Sequence, residues 1–167
     1  MDEPKVAVRV SSRATARISG ELRDVVFDGC ETGGFLYGLR GDDKIEIATG
    51  PGPNAQRTPT GVKFDGDYIR SLDAQLYAGW GDELSVVGRW HSHPDRTKEL
   101  SQVDREGAIF GFLNLEKLHS DEDVAYLELV VTERSSWDDP DFHAYVVTRD
   151  PVSGRVTVEP AEFEEVD

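Results

Sequence analysis

The chain has a single Cys and a single Met in 167 residues. One thiol cannot close an internal disulfide, which excludes a disulfide-stapled secreted scaffold. No stretch approaches the ~20 consecutive apolar residues a membrane helix needs. The opening Met1-Asp2-Glu3-Pro4-Lys5-Val6 has no basic segment leading into an apolar one, so no secretory leader is expected. Basic residues are scarce: 18 Lys plus Arg stand against 33 Asp plus Glu, a formal net charge of −15. That balance argues against a nucleic-acid partner, whose phosphates need a basic surface. It argues equally against an anionic membrane surface. Internal repeats and low-complexity tracts are absent too. The expectation is a cytoplasmic protein with neither nucleic acid nor membrane as partner.

What is present fits one globular domain. Hydrophobic residues make up 38% and charged residues 31% of the chain, and a chain of this length can bury its own core. Val6 to Val10 is a β-branched run, and Ser11-Ser12 can cap a helix after it. Ala14, Ile18, Leu22 and Val26 fall four apart, one stripe of a helix that Gly29 can stop. Gly34–Leu39 and Ile45–Ala48 read as strands joined by a turn at Gly41-Asp42-Asp43. From Gly50 to Gly61 the chain is irregular and polar, a surface loop of the kind that carries function. Ile69, Leu72, Leu76 and Trp80 predict a second helix over roughly 66–79. Leu84–Trp90 predicts a buried strand, and a third helix should begin near Ser101. Val124–Val131 and Phe142–Thr148 predict strands, with a last short one at Arg155–Val158 and a frayed acidic end over Glu159–Asp167. The alternation predicts a mixed α/β sandwich, one sheet with flanking helices.

The segment with chemistry in it is Trp90-His91-Ser92-His93-Pro94, followed by Ser101 and Asp104. Side chains alternate along a strand, so His91 and His93 share a face and Ser92 points away. Pro94 ends the strand. Ser101 then caps the third helix and puts the Asp104 carboxylate on its first turn. Two His and one Asp make three ligands with one position left open, the arrangement of catalytic rather than structural zinc. Taken singly, a His-x-His is ordinarily structural and a Ser-x-x-Asp is ordinarily a helix cap. Asp95 also lies close enough in sequence to compete as the third ligand.

Together these residues resemble the JAB/MPN metalloprotease family and its JAMM motif: an upstream Glu, His-Ser/Thr-His-Pro, six residues, Ser, two residues, Asp. Glu31-Thr32-Gly33-Gly34 resembles the upstream element of the prokaryotic branch, and Thr49–Ala55 resembles a loop of that branch. The likeness spans roughly residues 5–150. It implies a cytidine-deaminase-like JAB/MPN α/β fold, with one curved mixed β-sheet and flanking helices, over residues 1–160, followed by an acidic tail at 161–167. It implies Zn²⁺ held by His91, His93 and Asp104, lowering the pKa of a bound water from 15.7 toward about 7. Glu31 would be the general base and then the general acid. Ser101 would stabilise the developing oxyanion, alongside or instead of capping its helix. Gly33 and Gly34 would let the backbone pass closely by.

The implied activity is a zinc (iso)peptidase cleaving after the C-terminal glycines of a ubiquitin-like protein or its conjugate. E1/E2-like enzymes of a bacterial conjugation or antiphage operon would be companions. The substrate tail would add as a strand along a sheet edge, flanked by the 50–61 loop. Alternatives are a zinc amidohydrolase releasing a small amine or cysteine from a carrier protein, and an inactive scaffold. Outside the motif, Cys30 reads as a small hydrophobe, His119 as a helix-end surface residue and His143 as a satisfied structural one.

Overall fold

The computed structural model describes residues 6–25, 28–39, 44–120, 122–136 and 138–167. In chain order the elements are β1 (Ala7–Ser11), α1 (Ser12–Val25), β2 (Gly33–Leu39), β3 (Lys44–Ala48), β4 (Gln56–Thr58) and β5 (Gly61–Lys63). After these come α2 (Gly66–Trp80), β6 (Leu84–Ser92), α3 (Gln102–Leu118), β7 (Tyr126–Ser136), β8 (Asp139–Arg149) and β9 (Val156–Val166). The turn expected at Gly41-Asp42-Asp43 and the last residue of the first stripe, Val26, lie outside the described residues.

Seven strands form one closed barrel in the order β1-β3-β2-β6-β7-β8-β9. The expected JAB/MPN α/β fold, one curved mixed sheet with flanking helices, is therefore corrected: the strands close on themselves. β9 closes the barrel, pairing antiparallel with β8 and parallel with β1, from Ala7 opposite Glu162 to Ser11 opposite Val166. The acidic tail assigned to 161–167 is corrected with it, since Ala161–Val166 is the second half of this strand. The physical reason lies in the alternation at the strand's centre: Ala161 and Phe163 are half-buried while Glu162 and Glu164 are exposed. Those two charges sit on the opposite face of the strand and do not unravel it. Phe163 stacks on Phe142 with ring centroids 4.6 Å apart.

The main core fills the barrel. Val8, Val10, Leu36, Ile45, Trp90, Leu129 and Val131 pack with Ala14, Ile18 and Leu22 of the α1 stripe, the helical face predicted from spacing. Ser11 starts α1 by accepting from Ala14 N at 3.1 Å. α3 buries Ala108, Phe112 and Leu115 against Tyr126 and Val147, and as the connection between the parallel strands β6 and β7 it crosses beside the sheet. α2 fills the predicted span but rests lightly, with Ile69, Leu72 and Leu76 only half-buried. The 50–61 loop contains more order than expected, because it folds into the two-stranded β4–β5 hairpin.

Candidate metal centre

β6 lies between β2 and β7. His91 pairs with Gly33 on one side and with Val130 on the other, and Arg89 pairs with Phe35 and Glu128. Residues two apart share a face, and so do paired residues of neighbouring strands. Arg89, His91, His93 and Glu128 are thereby placed on one face. His91 and His93 are both buried, and their Nε2 atoms are 3.0 Å apart. Asp104 Oδ2 lies 3.2 Å from His93 Nε2 and 3.4 Å from His91 Nε2. The motif spacing therefore does bring these three ligand atoms together.

Asp104 arrives by helix capping. Its backbone N donates to Ser101 Oγ at 3.1 Å, and Ser101 N donates back to Asp104 Oδ2 at 2.9 Å. This reciprocal capping box fixes the first turn of α3 and aims the carboxylate at the two imidazoles. Of the two roles expected of Ser101, the capping one is present in the structure. Asp95 does not join the group, since its carboxylate accepts from Thr97 N in a local turn at 3.0 Å. Ser92 points away, as alternation requires, and its Oγ accepts from Thr32 N at 2.9 Å.

The outer nitrogens of both rings are committed. His93 Nδ1 lies 2.6 Å from Thr97 O. His91 Nδ1 lies 2.9 Å from Glu128 Oε1. A carbonyl and an ionised carboxylate can only accept, so each Nδ1 carries the hydrogen and each Nε2 presents a lone pair. Two imidazole lone pairs and a carboxylate oxygen then converge, all of them acceptors. A cation can bridge such a set, and the His91, His93 and Asp104 group could hold a metal ion. In the metal-free protein a proton can play that part. Burial works against a charged His91, but its bonds to Asp104 and Glu128 outweigh it and push the pKa up to about 9. Burial likewise opposes charge on His93, and Asp104 and the Thr97 carbonyl overcome it. Burial would raise Asp104, yet both imidazoles and Ser101 N hold it well below the usual carboxylate range.

Glu31 lies just ahead of β2, is buried, and has Oε1 3.9 Å from His93 Nε2. Burial raises its pKa, against the opposing pull of His91 and His93. A carboxyl group poised above its ordinary value is suited to taking and returning a proton. The two glycines after it give space rather than special dihedrals. A Cβ on Gly33 would run into Trp90 O, and one on Gly34 into Thr49 O.

Glu128, which bonds to His91, Arg89, which bonds to Glu128 and to the Asp104 carbonyl, and Arg57, which bonds to the Glu31 carbonyl, lie outside the motif. Glu128 had a signal: it is the lone charge inside the apolar run Tyr126–Val131, and a charge there needs a buried partner. Arg89 had one too, two residues before His91 on the same face. His143 is satisfied by Thr132 Oγ1 at 2.9 Å. Cys30 is half-buried and unpaired in any disulfide.

A cavity of about 400 Å³ opens beside the group, with Glu31, His91 and Asp104 in its lining. Phe35, Val62 and Phe64 line one wall; Val103, Phe110 and Asn114 of α3 line another. Among the described residues, no helix is long and apolar enough to cross a membrane.

No protein-family model matches the chain, and no curated protein matches it. Its fold is shared with solved structures. The solution structure of protein DSY2949 from Desulfitobacterium hafniense matches with a TM-score of 0.56 at 17% sequence identity, over 95% of this chain and 92% of that one. At that identity the likeness shows the fold alone.

Proposed function

We propose that this chain is a zinc-dependent (iso)peptidase that cleaves after the C-terminal glycines of a ubiquitin-like protein or its conjugate. The observation that carries this reading is the convergence of His91 Nε2, His93 Nε2 and Asp104 Oδ2 with the Glu31 carboxylate 3.9 Å from His93. Two imidazoles and one carboxylate are a donor set of catalytic zinc. When bound, zinc supplies Lewis-acid activation of water and of the scissile carbonyl.

The chain's own residues do the rest. Glu31 takes the proton of the attacking water on its carboxylate and returns it to the departing nitrogen, without which an amine leaves poorly. Ser101 Oγ accepts from Asp104 N and keeps its own hydrogen, which it donates to the oxygen of the scissile carbonyl.

The cleft favours an extended tail over a small amide. From Val103 to Asn114 its α3 wall runs three helical turns, about 16 Å, or room for roughly five extended residues. Across from it, Gly61 and Val62 of β5 line the cleft, and among the described residues β5 pairs only with β4, which leaves its other backbone edge for strand addition. A glycine-ended tail adding to that edge would lead its last bond to Glu31.

The test begins with elemental mass spectrometry of the untagged protein beside a His91→Ala, His93→Ala double variant. It continues with hydrolysis of a ubiquitin-like fusion ending in Gly-Gly. About one zinc per chain, lost in the double variant, with cleavage abolished by Glu31→Gln, supports the reading. A chain that takes up no zinc on supplementation, or a zinc-loaded chain that cleaves no such fusion, overturns it.

A further inference from the structure

Glu128 is fully buried in β7, and a buried carboxylate persists only when it is paired and hydrogen-bonded. Its partners are Arg89, whose Nε lies 2.8 Å from both carboxylate oxygens, and His91, whose Nδ1 lies 2.9 Å from Oε1. The same guanidinium extends past Glu128. Its Nη2 donates to the backbone carbonyl of Asp104 at 3.1 Å. Room for that reach comes from Gly107 on α3, where a Cβ would run into Arg89 Nη2.

One side chain on β6 is therefore linked to two of the three ligand residues. Through Glu128 it is tied to the ring of His91. Directly it is tied to the first turn of α3, which holds Asp104. Glu128 fixes which nitrogen of His91 bears the hydrogen and how the ring is turned. Arg89 holds Glu128 and the helix start in register. We infer that Arg89 and Glu128, with Gly107 as the clearance between them and α3, form a positioning unit that preassembles His91 and Asp104 for the metal. This rests on the proposed metal centre, but concerns residues outside its motif.

A buried ion pair is commonly replaceable by apolar side chains of similar volume without loss of stability. That separates positioning from folding. The experiment measures zinc affinity by competition with a chromophoric chelator, and the visible absorption of the cobalt-substituted protein, in wild type, Glu128→Gln, Arg89→Met and the double variant Arg89→Met, Glu128→Leu. Thermal melts of the metal-free proteins run alongside.

Affinity is expected to fall about 10–100-fold in each single variant, the range found when groups orienting metal-bound histidines are removed. The two losses should not add, since the residues act as one unit. The double variant should melt near the wild type yet bind zinc as weakly as the singles, with an altered cobalt spectrum. A double variant that folds and binds zinc like wild type overturns the inference. So do single variants that lose melting temperature but keep wild-type affinity and spectrum. Wild-type protein that binds zinc through this unit but cleaves no fusion would leave the positioning role standing while the proposed activity falls.

Discussion

Arg57 on the β4–β5 hairpin donates from Nε to the backbone carbonyl of Glu31 at 3.0 Å. On the next residue of the hairpin, Thr58 O accepts from Glu31 N at 2.8 Å. The backbone of the proposed base is thus gripped on both its polar groups by a hairpin that makes no contact with the metal ligands through these bonds. Arg57 is itself steadied by a bidentate pair with Asp28, at 2.7 and 3.0 Å. Arg57→Met keeps the aliphatic stem and removes the fork. Zinc content should stay at the wild-type level while kcat falls about tenfold to a hundredfold, because a small misplacement of a reacting group is costly. Elemental analysis and steady-state hydrolysis of a Gly-Gly fusion check this; unchanged kcat would show that the hairpin does not position Glu31.

The raised pKa of His91 sets how metal binding depends on pH. In the metal-free protein its folded value of about 9 lies above the ordinary 6.5. The cluster's proton therefore contributes stability below about 6.5, and that contribution is lost as pH rises through 9. A metal entering the group must displace this proton. Affinity should accordingly rise with pH, roughly tenfold per unit between 6.5 and 9 for one proton released. Chelator competition at pH 6.5, 7.5 and 8.5, corrected for the chelator's own protonation, reads the slope. A flat profile would mean that no proton resides between His91 and Asp104.

Much of the centre was legible because its parts follow short-range rules. His91 and His93 obey the period of two, and Ser101 with Asp104 obeys the spacing of a capping box; neither needs knowledge of the far chain. Barrel closure was not legible, because it depends on β9 meeting β1 across the whole sequence. The glutamates of Glu159–Glu165 also masked the alternation at Ala161 and Phe163. The β4–β5 hairpin escaped for another reason: its strands are three residues each, too short to show a period, and they sit in a stretch dominated by Gly and Pro. Arg89 and Glu128 lie 39 residues apart, and only the parallel register of β6 with β7 joins them.

The glycines beside Glu31 are sensitive to volume. At Gly34 a methyl group would meet the Thr49 carbonyl oxygen and also crowd Trp90 Nε1. The Trp90 indole already donates to that same Thr49 oxygen at 2.9 Å. Backbone cannot yield as a flexible side chain can, so β2 and the Thr49 segment must separate. Gly34→Ala should destabilise by about 1–3 kcal/mol and lower Tm by several degrees. Gly29, by contrast, has nothing within 4 Å of its Cβ position and a φ of 68°. Gly29→Asn, which tolerates that backbone region, should leave Tm nearly unchanged. Thermal melts of the two variants side by side separate crowding from backbone strain. Equal losses would show that clearance at Gly34 is not what matters.

Thr32 supplies a test of the opposite sign. Its side chain is fully buried between Glu31 and Gly33, and its Oγ1 has no hydrogen-bond partner among the described residues. Its backbone is satisfied separately, with N donating to Ser92 Oγ at 2.9 Å and O accepting from Ser92 N at 2.8 Å. A buried hydroxyl without a partner carries its full desolvation cost, and an isosteric methyl removes that cost. Valine has the shape of threonine and leaves both backbone bonds in place. Thr32→Val should therefore raise stability by about 1 kcal/mol, a Tm gain of roughly 2–4 °C for a chain this size. A loss of stability would show that the buried Oγ1 does not carry the desolvation cost assigned to it.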